Sequence, residues 1–447
     1  MKNFIAFYVL LVLILWSTAC NHLEVEPVDL LTDQTTITNA NTTESALLGL
    51  YSGLQNPYGL DIMRMDLLSD ETNDKLNRPD PEGQLDGNAV LASNFLVEGV
   101  WQALYKIIRQ TNFILERVPR ITTIPVAQRE SYLAEAYFIR AFCNFQLVRY
   151  FGGVPLLLTT DIGPDSSPAR VSRNEVFDQI IEDLQQAEAA LPVSYNDPDE
   201  FKTRATRTAA TALLARAYLY TEDWIRAEEI ATQVIDKDLY QMETNYTNLY
   251  NKNSPEVIWE LFYPVLGDNF TAYYSFPGTL GGIYGLAPSD KIVAAFEPGD
   301  QRFEASLRMY TDGTFYIYKY RDPNINGSQD RPILLRLAEL YLIRAEARAQ
   351  LDNTTGAAQD INVIRSRVGL SNTSATSKEA LLLAIEQERF VEFCFENHRF
   401  PDLVRTGRAN AVLGAHNPNG WQPTDQLLPL PQSEMILNPN LVQNEGY

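Results

Sequence analysis

The chain has 447 residues, of which 45% are apolar and 11% aromatic, and it carries a formal net charge of −21. That apolar content supplies a substantial core and excludes wholesale disorder. With 57 acidic against 36 basic residues and no basic patch, the surface would repel a nucleic-acid backbone, so no nucleic-acid partner is expected.

At the start of the chain, Lys2, the apolar run from Phe4 to Trp16 and the small residues Ser17, Thr18 and Ala19 read as a secretory signal over residues 1–19. The run falls short of the roughly 20 residues a membrane-spanning helix needs. Cys20, directly after the small residues, resembles the acylation site of a bacterial lipoprotein box, with Ser17 where that box usually has Leu. An acylated Cys20 would hold the body on a membrane surface, because each buried methylene contributes about 0.8 kcal/mol. Residues 20–30, with Glu24, Glu26, Pro27 and Asp29, read as the lipid-anchored tether. The alternative is an ordinary signal cut near Ala19.

Two long stretches, 56–94 and 255–330, are rich in Gly, Pro, Asn and Tyr and break an otherwise helical pattern. Loops of that length usually carry function or small strands of their own. Between them, Leu133, Ala136, Tyr137, Ala141, Phe145 and Val148 recur at helical spacing, and Gly152-Gly153 stops that helix before an extended VPLLL segment. The spacing predicts another helix over 171–191, with Ser172 as N-cap, Glu175 closing a capping box and Pro192 beyond its end. Leu214, Ala215, Tyr218 and Ala227 then fall at the seventh, eighth, eleventh and twentieth places of a tetratricopeptide-like hairpin. Ala345, Ala357 and Ile361 repeat the eighth, twentieth and twenty-fourth, with Arg348 where Tyr is usual. Two matches in register predict a solenoid-like scaffold.

Residues 385–407, IEQERFVEFCFENHRFPDLVRTG, concentrate charge within an apolar stretch. On a helix Glu388, Glu392 and Glu396 share one face, so no two of them flank a sugar as a glycosidase's acid and nucleophile must. Buried among Phe390, Phe393 and Phe395 they need cations, and Arg389, Arg399 and Arg405 are the near ones, with Asp402 at the following turn. The segment reads as a strut, and His398 is not read as a catalytic base. Cys143 and Cys394 are expected as separate core thiols. With three histidines and no CxxC, a zinc site is not expected, nor is any catalytic residue assigned.

Six segments in order resemble the RagB/SusD family of outer-membrane nutrient-binding lipoproteins. They are Cys20 with its leader, AEAYFIRAFCNFQLVRYFGGVPL, ARAYLYTEDWIRAEEIATQVI, LLRLAELYLIRAEA, the HRFPDLVRTG stretch and the terminal LLPLPQSEMILNPNLVQNEGY. The resemblance implies a mainly α, SusD-like scaffold of four tetratricopeptide-like hairpins with a packed, loop-rich second part. It divides the chain into an N-terminal helical region over 31–250 and a RagB/SusD C-terminal region with ligand-loop insertions over 251–447. It further implies a non-enzymatic protein, lipid-anchored at the cell-surface side of the outer membrane. Such a protein binds oligosaccharide and delivers it to a SusC-like TonB-dependent transporter; the alternative is peptide capture, as in the RagB branch.

Sugars need flat aromatic faces and planar or charged hydrogen-bonding partners. The candidates are Asn73, Asp74, Asn77 and Arg78 in the first irregular stretch and Tyr273, Tyr274, Phe276 and Tyr284 in the second. For each ring the competing reading is a loop-anchoring core residue. No cofactor is expected. Asp322, Asn324 and Asn326 match the first half of a calcium loop, but Ile333 replaces its final glutamate, and an Asx-rich turn is the reading preferred over calcium.

Overall fold

The computed structural model describes residues 36–57, 62–79, 81–160, 167–197, 200–252, 254–263, 270–324 and 330–447. The signal and tether predicted over 1–19 and 20–30, with Cys20, lie outside the described residues. The scaffold is built from α1 (Ala40–Asn56), α2 (Phe95–Arg117), α3 (Val126–Phe151), α4 (Arg173–Ala190), α5 (Arg207–Tyr220), α6 (Trp224–Ile235), α7 (Leu337–Gln350), α8 (Thr354–Arg367) and α9 (Lys378–Glu392). Each helix packs on the next in chain order, from α1 on α2 through to α8 on α9. Taken in twos, α1 to α8 make the four helix pairs that the resemblance implies, and α9 closes the stack. The stack runs without interruption from the 31–250 region into the 251–447 region.

Local signals explain the ends of these helices. Ser172 Oγ accepts the N–H of Glu175 (3.2 Å) and the Glu175 carboxylate accepts the N–H of Ser172 (2.8 Å), so the predicted capping box opens α4. Gly152 stops α3 at φ 72°, in the left-handed half of φ space that costs a residue with a Cβ. At the repeat positions, Ala215, Ala227, Ala345, Ala357 and Ile361 are fully buried between helices. Arg348, standing where the repeat has Tyr, instead bridges helices by pairing with Glu228 of α6 (2.9 Å) and Asp360 of α8 (2.8 Å).

Buried arginines fix neighbouring helices to one another. Arg140 on α3 pairs with Asp183 on α4 (2.7 Å), Arg216 on α5 donates from Nε to Glu339 on α7 (2.6 Å), and Arg344 on α7 pairs with Asp360 on α8 (2.7 Å). Cys143 and Cys394 are free and buried, as separate core thiols. Burial pushes the Cys394 thiol up to about 12 and raises that of Cys143 further.

The two irregular stretches are excursions from the stack, one between α1 and α2 and the other between α6 and α7. They contain small strands: β1 (Thr72–Asp74), β2 (Val257–Glu260), β3 (Leu286–Pro288), β4 (Leu307–Met309), β5 (Phe315–Ile317) and β6 (Ile333–Arg336). These pair antiparallel as β1 with β3, β2 with β6 and β4 with β5. Trp259 of β2 anchors the second excursion to the stack, its ring 4.8 Å from both Phe138 and Phe142 of α3 in edge-to-face contact.

Candidate functional site

The pairing of β1 with β3 joins the two excursions. Thr72 lies opposite Pro288, Asn73 opposite Ala287 and Asp74 opposite Leu286, and the N–H of Lys75 donates to Gly285 O (3.1 Å). The sequence-predicted residues of the two stretches are thereby brought to one place. Arg78 lies 6.0 Å from the centre of the Tyr274 ring, and Arg64, which sequence reasoning missed, lies 4.8 Å from it. Gly285 permits this approach, because a Cβ there would meet Tyr274 Cδ1 at 3.2 Å and Leu76 Cδ1 at 3.5 Å.

Within the joint the predicted residues divide by burial. Asp74 is buried, and its carboxylate accepts the Arg78 N–H (2.7 Å) and Nη2 (2.8 Å) as well as the Leu76 N–H (3.2 Å). Arg78 also pairs with Glu82 (3.0 Å), which in turn holds Arg64 (3.2 Å). Asp74 is therefore a clasp for its own loop and offers a ligand no exposed surface. Phe276 is likewise buried, packed 5.0 Å from Tyr316 and 6.1 Å from Tyr318. Tyr284 belongs to the same cluster and donates its hydroxyl to Phe315 O (2.8 Å). Phe276, and Tyr284 although it is half-buried, fit the loop-anchoring reading of their rings. Toward solvent the joint presents half-buried Asn73, Arg78, Tyr273 and Tyr274, with exposed Leu76 and Asn77. Nothing in the spacing marked Arg64 or Leu76, since both act through a neighbour in the other excursion.

Only part of the calcium candidate lies among the described residues. Asp322 Oδ1 accepts the Asn324 N–H (3.1 Å), and the Asp330 carboxylate accepts the N–H of Arg321 (2.7 Å) and of Asp322 (2.9 Å). Asn326 lies outside the described residues. Among the described residues no group of three or more His, Cys, Asp or Glu side chains is placed to hold a metal ion.

The charged C-terminal stretch is a strut, but its construction differs from the expected one in two respects. First, α9 ends at Glu392, and Phe395 and Asn397, both at φ 63°, turn the chain, so Glu396 lies beyond the helix. Second, the cations come from elsewhere. Arg302 pairs with Glu388 (2.9 Å) and Glu392 (3.2 Å), Arg336 with Glu396 (3.0 Å) and Glu256 (3.0 Å), and Lys319 with Glu396 (2.7 Å). Arg365 reaches Glu388 (2.5 Å), and Arg367 bonds both Glu256 and Glu392. The nearby arginines serve other acids: Arg389 pairs with Asp402 (2.7 Å), Arg399 with Asp70 (2.8 Å) and Arg405 with Glu346 (2.6 Å). Burial alone would raise the Glu392 carboxyl, but Arg367, Arg336 and Arg302 outweigh it and hold the group well below the usual carboxylate range. His398 stacks 4.7 Å from Phe393, and burial beside Arg216 and Arg389 keeps its imidazole neutral, far below its ordinary value.

A separate groove of about 490 Å³ opens between the α5–α6 turn, α9 and the segment after it, lined by residues that include Trp224, Leu382, Glu386 and Arg408. None of the sequence-predicted ligand residues lines it.

The family model described as the SusD family matches residues 298–447, and one described as starch-binding associating with outer membrane matches 28–219. The chain belongs to the RagB/SusD family. A SusD-like protein of Formosa agariphila is 27% identical, with all of both chains covered. The starch-binding protein SusD of Bacteroides thetaiotaomicron is 26% identical over 78% of each chain. Among solved structures, a SusD-like protein from Bacteroides fragilis superposes with a TM-score of 0.83 at 24% identity, over 94% of this chain and all of that one. The helical stack and its two excursions are thus a RagB/SusD fold. The match over residues 298–447 includes α7 to α9 and the charged stretch 385–407, whereas the β1–β3 joint draws β1 from the match over 28–219 and β3 from between the two.

Proposed function

We propose that this RagB/SusD protein binds oligosaccharide at the β1–β3 joint, is held at the outer-membrane surface through acylated Cys20, and passes its cargo to a SusC-like TonB-dependent transporter. The observation that carries the reading is the joint itself. It sets the Tyr274 ring, with Tyr273 5.9 Å from it, beside Arg78, whose chain neighbour Asn77 is exposed, a combination of aromatic face and planar polar groups suited to sugar C–H and O–H groups. The starch-binding name of the SusD relative and the outer-membrane description of the matched family model support the ligand class and the location.

The proposed act is capture and occlusion without bond chemistry. Glu388, Glu392 and Glu396 are each committed to cations in the interior, and His398 is buried between Phe393 and arginines. Delivery follows from differential affinity: cargo bound between the body and a transporter favours the closed assembly. Calorimetric titration with a panel of starch- and laminarin-type oligosaccharides, beside a pool of peptides, tests the reading. Saturable heat with a glycan that is reduced in the Tyr273→Ala/Tyr274→Ala variant supports it. Binding of peptides alone, or glycan binding indifferent to that variant, overturns the assigned ligand or face.

A further inference from the structure

We infer that Asp66 and Glu71 share a single proton and thereby latch the excursion that carries β1 onto the C-terminal turn at residues 394–397. Asp66 lies in a short 3-10 turn, Met65–Leu68, and Glu71 immediately precedes β1. Both carboxyls are buried and lie within hydrogen-bonding reach of one another. One oxygen of each meets the C-terminal turn: Glu71 Oε1 accepts the Phe395 N–H (3.3 Å), and Asp66 Oδ1 accepts from Asn397 Nδ2 (3.5 Å). The other two, Asp66 Oδ2 and Glu71 Oε2, are buried and accept no hydrogen bond. Two ionised carboxylates have no donor to offer each other, whereas one proton between them satisfies both orphaned oxygens.

The surroundings agree. From the same stretch, Asp70 faces the pair with its carboxylate taken by Arg399 of the helix Arg399–Arg405. From α3 come Arg149 and Tyr150, both bonded to Asn397. The C-terminal turn contributes Cys394 and Glu396, the latter bound to Arg336 and Lys319, and Tyr320 faces Asp66 from the chain after β5. Burial, only partly offset by Glu71, Arg149 and Asn397, raises the Asp66 carboxyl to about 7, and burial with the Asp66 charge raises Glu71 well above its ordinary value.

The main chain transmits the latch. Glu71 O accepts the Ser289 N–H (2.9 Å) and Asp70 O accepts Ser289 Oγ (2.6 Å), so Glu71, one holder of the shared proton, and its neighbour Asp70 also fix the end of the β1–β3 ladder. The sign follows from linkage. The folded pair keeps protons that the unfolded chain releases near pH 4. Asp66 gives up the first as pH rises through about 7, which leaves the single shared proton, and Glu71, raised well above its ordinary value, releases that one at higher pH. The stabilising effect is therefore full below about pH 4 and is lost progressively through and beyond about 7. Losing the proton sets two buried charges against each other and loosens the strap from the turn.

The test compares melting temperature between about pH 5.5 and about pH 8.5 for the protein and its Asp66→Asn and Glu71→Gln variants, each of which supplies the shared hydrogen permanently from an amide. The natural protein should lose about 2 °C or more over that interval, and each variant less than half as much. An infrared band of a protonated carboxyl should be present near neutral pH in the natural protein and missing from both variants. If one variant does not fold, the other decides. Equal slopes in a folded variant, or no such band in the natural protein, overturn the latch. The effect on ligand rests on the proposed glycan reading, with affinity for a malto-oligosaccharide expected to fall several-fold at the alkaline end in the natural protein only. Failure to bind glycan at any pH, with the melting slopes still separated, removes the glycan reading and leaves the latch standing.

Discussion

Arg336, the last residue of β6, and Glu392, the last of α9, are joined inside the protein by both side chain and main chain. The guanidinium reaches the Glu392 carboxylate at 2.5 Å and donates to its backbone carbonyl at 2.7 Å. Both residues are almost inaccessible to solvent, at 2% and 0%. Removing one member leaves an uncompensated buried charge, which costs about 3 to 5 kcal/mol, far more than the pair's net contribution. Arg336→Met should therefore lower unfolding free energy by that amount in denaturant titrations at neutral pH. A loss below about 1 kcal/mol would show that the network relaxes around the gap.

Acid should unfold the protein through the same network. Burial opposes ionisation of Glu392, Glu396 and Asp402, yet their arginine and lysine partners hold all three below their ordinary values. Groups depressed in the folded state contribute stability above the unfolded pKa, near 4.5 for Glu and 3.8 for Asp, and lose it as pH falls further. Unfolding free energy should drop steeply below about pH 4, a window separate from the neutral one assigned to Asp66 and Glu71. A flat profile down to pH 2 would contradict it.

At the joint, Tyr274→Ala removes the ring that lies beneath both Arg64 and Arg78. Glycan affinity should weaken about 2- to 12-fold, the equivalent of about 0.5 to 1.5 kcal/mol, while the melting temperature stays close to that of the natural protein. Titration calorimetry with circular dichroism separates a lost contact from a lost fold.

Gly282→Ala is expected to act more severely. An added Cβ would lie 2.2 Å from Phe276 O and 2.5 Å from Tyr273 O, both backbone atoms, so the turn carrying Tyr273 and Tyr274 must shift. Binding should fall below detection with helical content intact, because the displaced turn lies outside the stack.

The helical stack was legible in the sequence because its causes are local: the Ser172–Glu175 capping box, the stop at Gly152, and small residues recurring at Ala215, Ala227, Ala345 and Ala357. The strut was legible as a charge cluster within an apolar stretch, but its partners were not. Arg302, Arg336, Arg365, Arg367 and Lys319 reach Glu388, Glu392 and Glu396 through tertiary packing, and no spacing rule reports that. The candidate site was legible as two groups of polar and aromatic residues. Their union was hidden, because three-residue strands such as β1 and β3 are too short to show an alternating pattern. For the same reason the inward turn of Asp74 and Phe276 became visible only once the strands were paired.

The β1–β3 ladder also bears on how such proteins diversify. Each excursion supplies one strand and part of the face beside it, so neither is a self-sufficient module that a relative could donate. A chimaera receiving only one foreign insertion would inherit a mismatched half, with the Gly285 gap meeting the wrong ring or the Arg78 clasp meeting none. Changes of cargo preference in this lineage are therefore expected to arrive as coordinated replacements at two distant stretches of the gene.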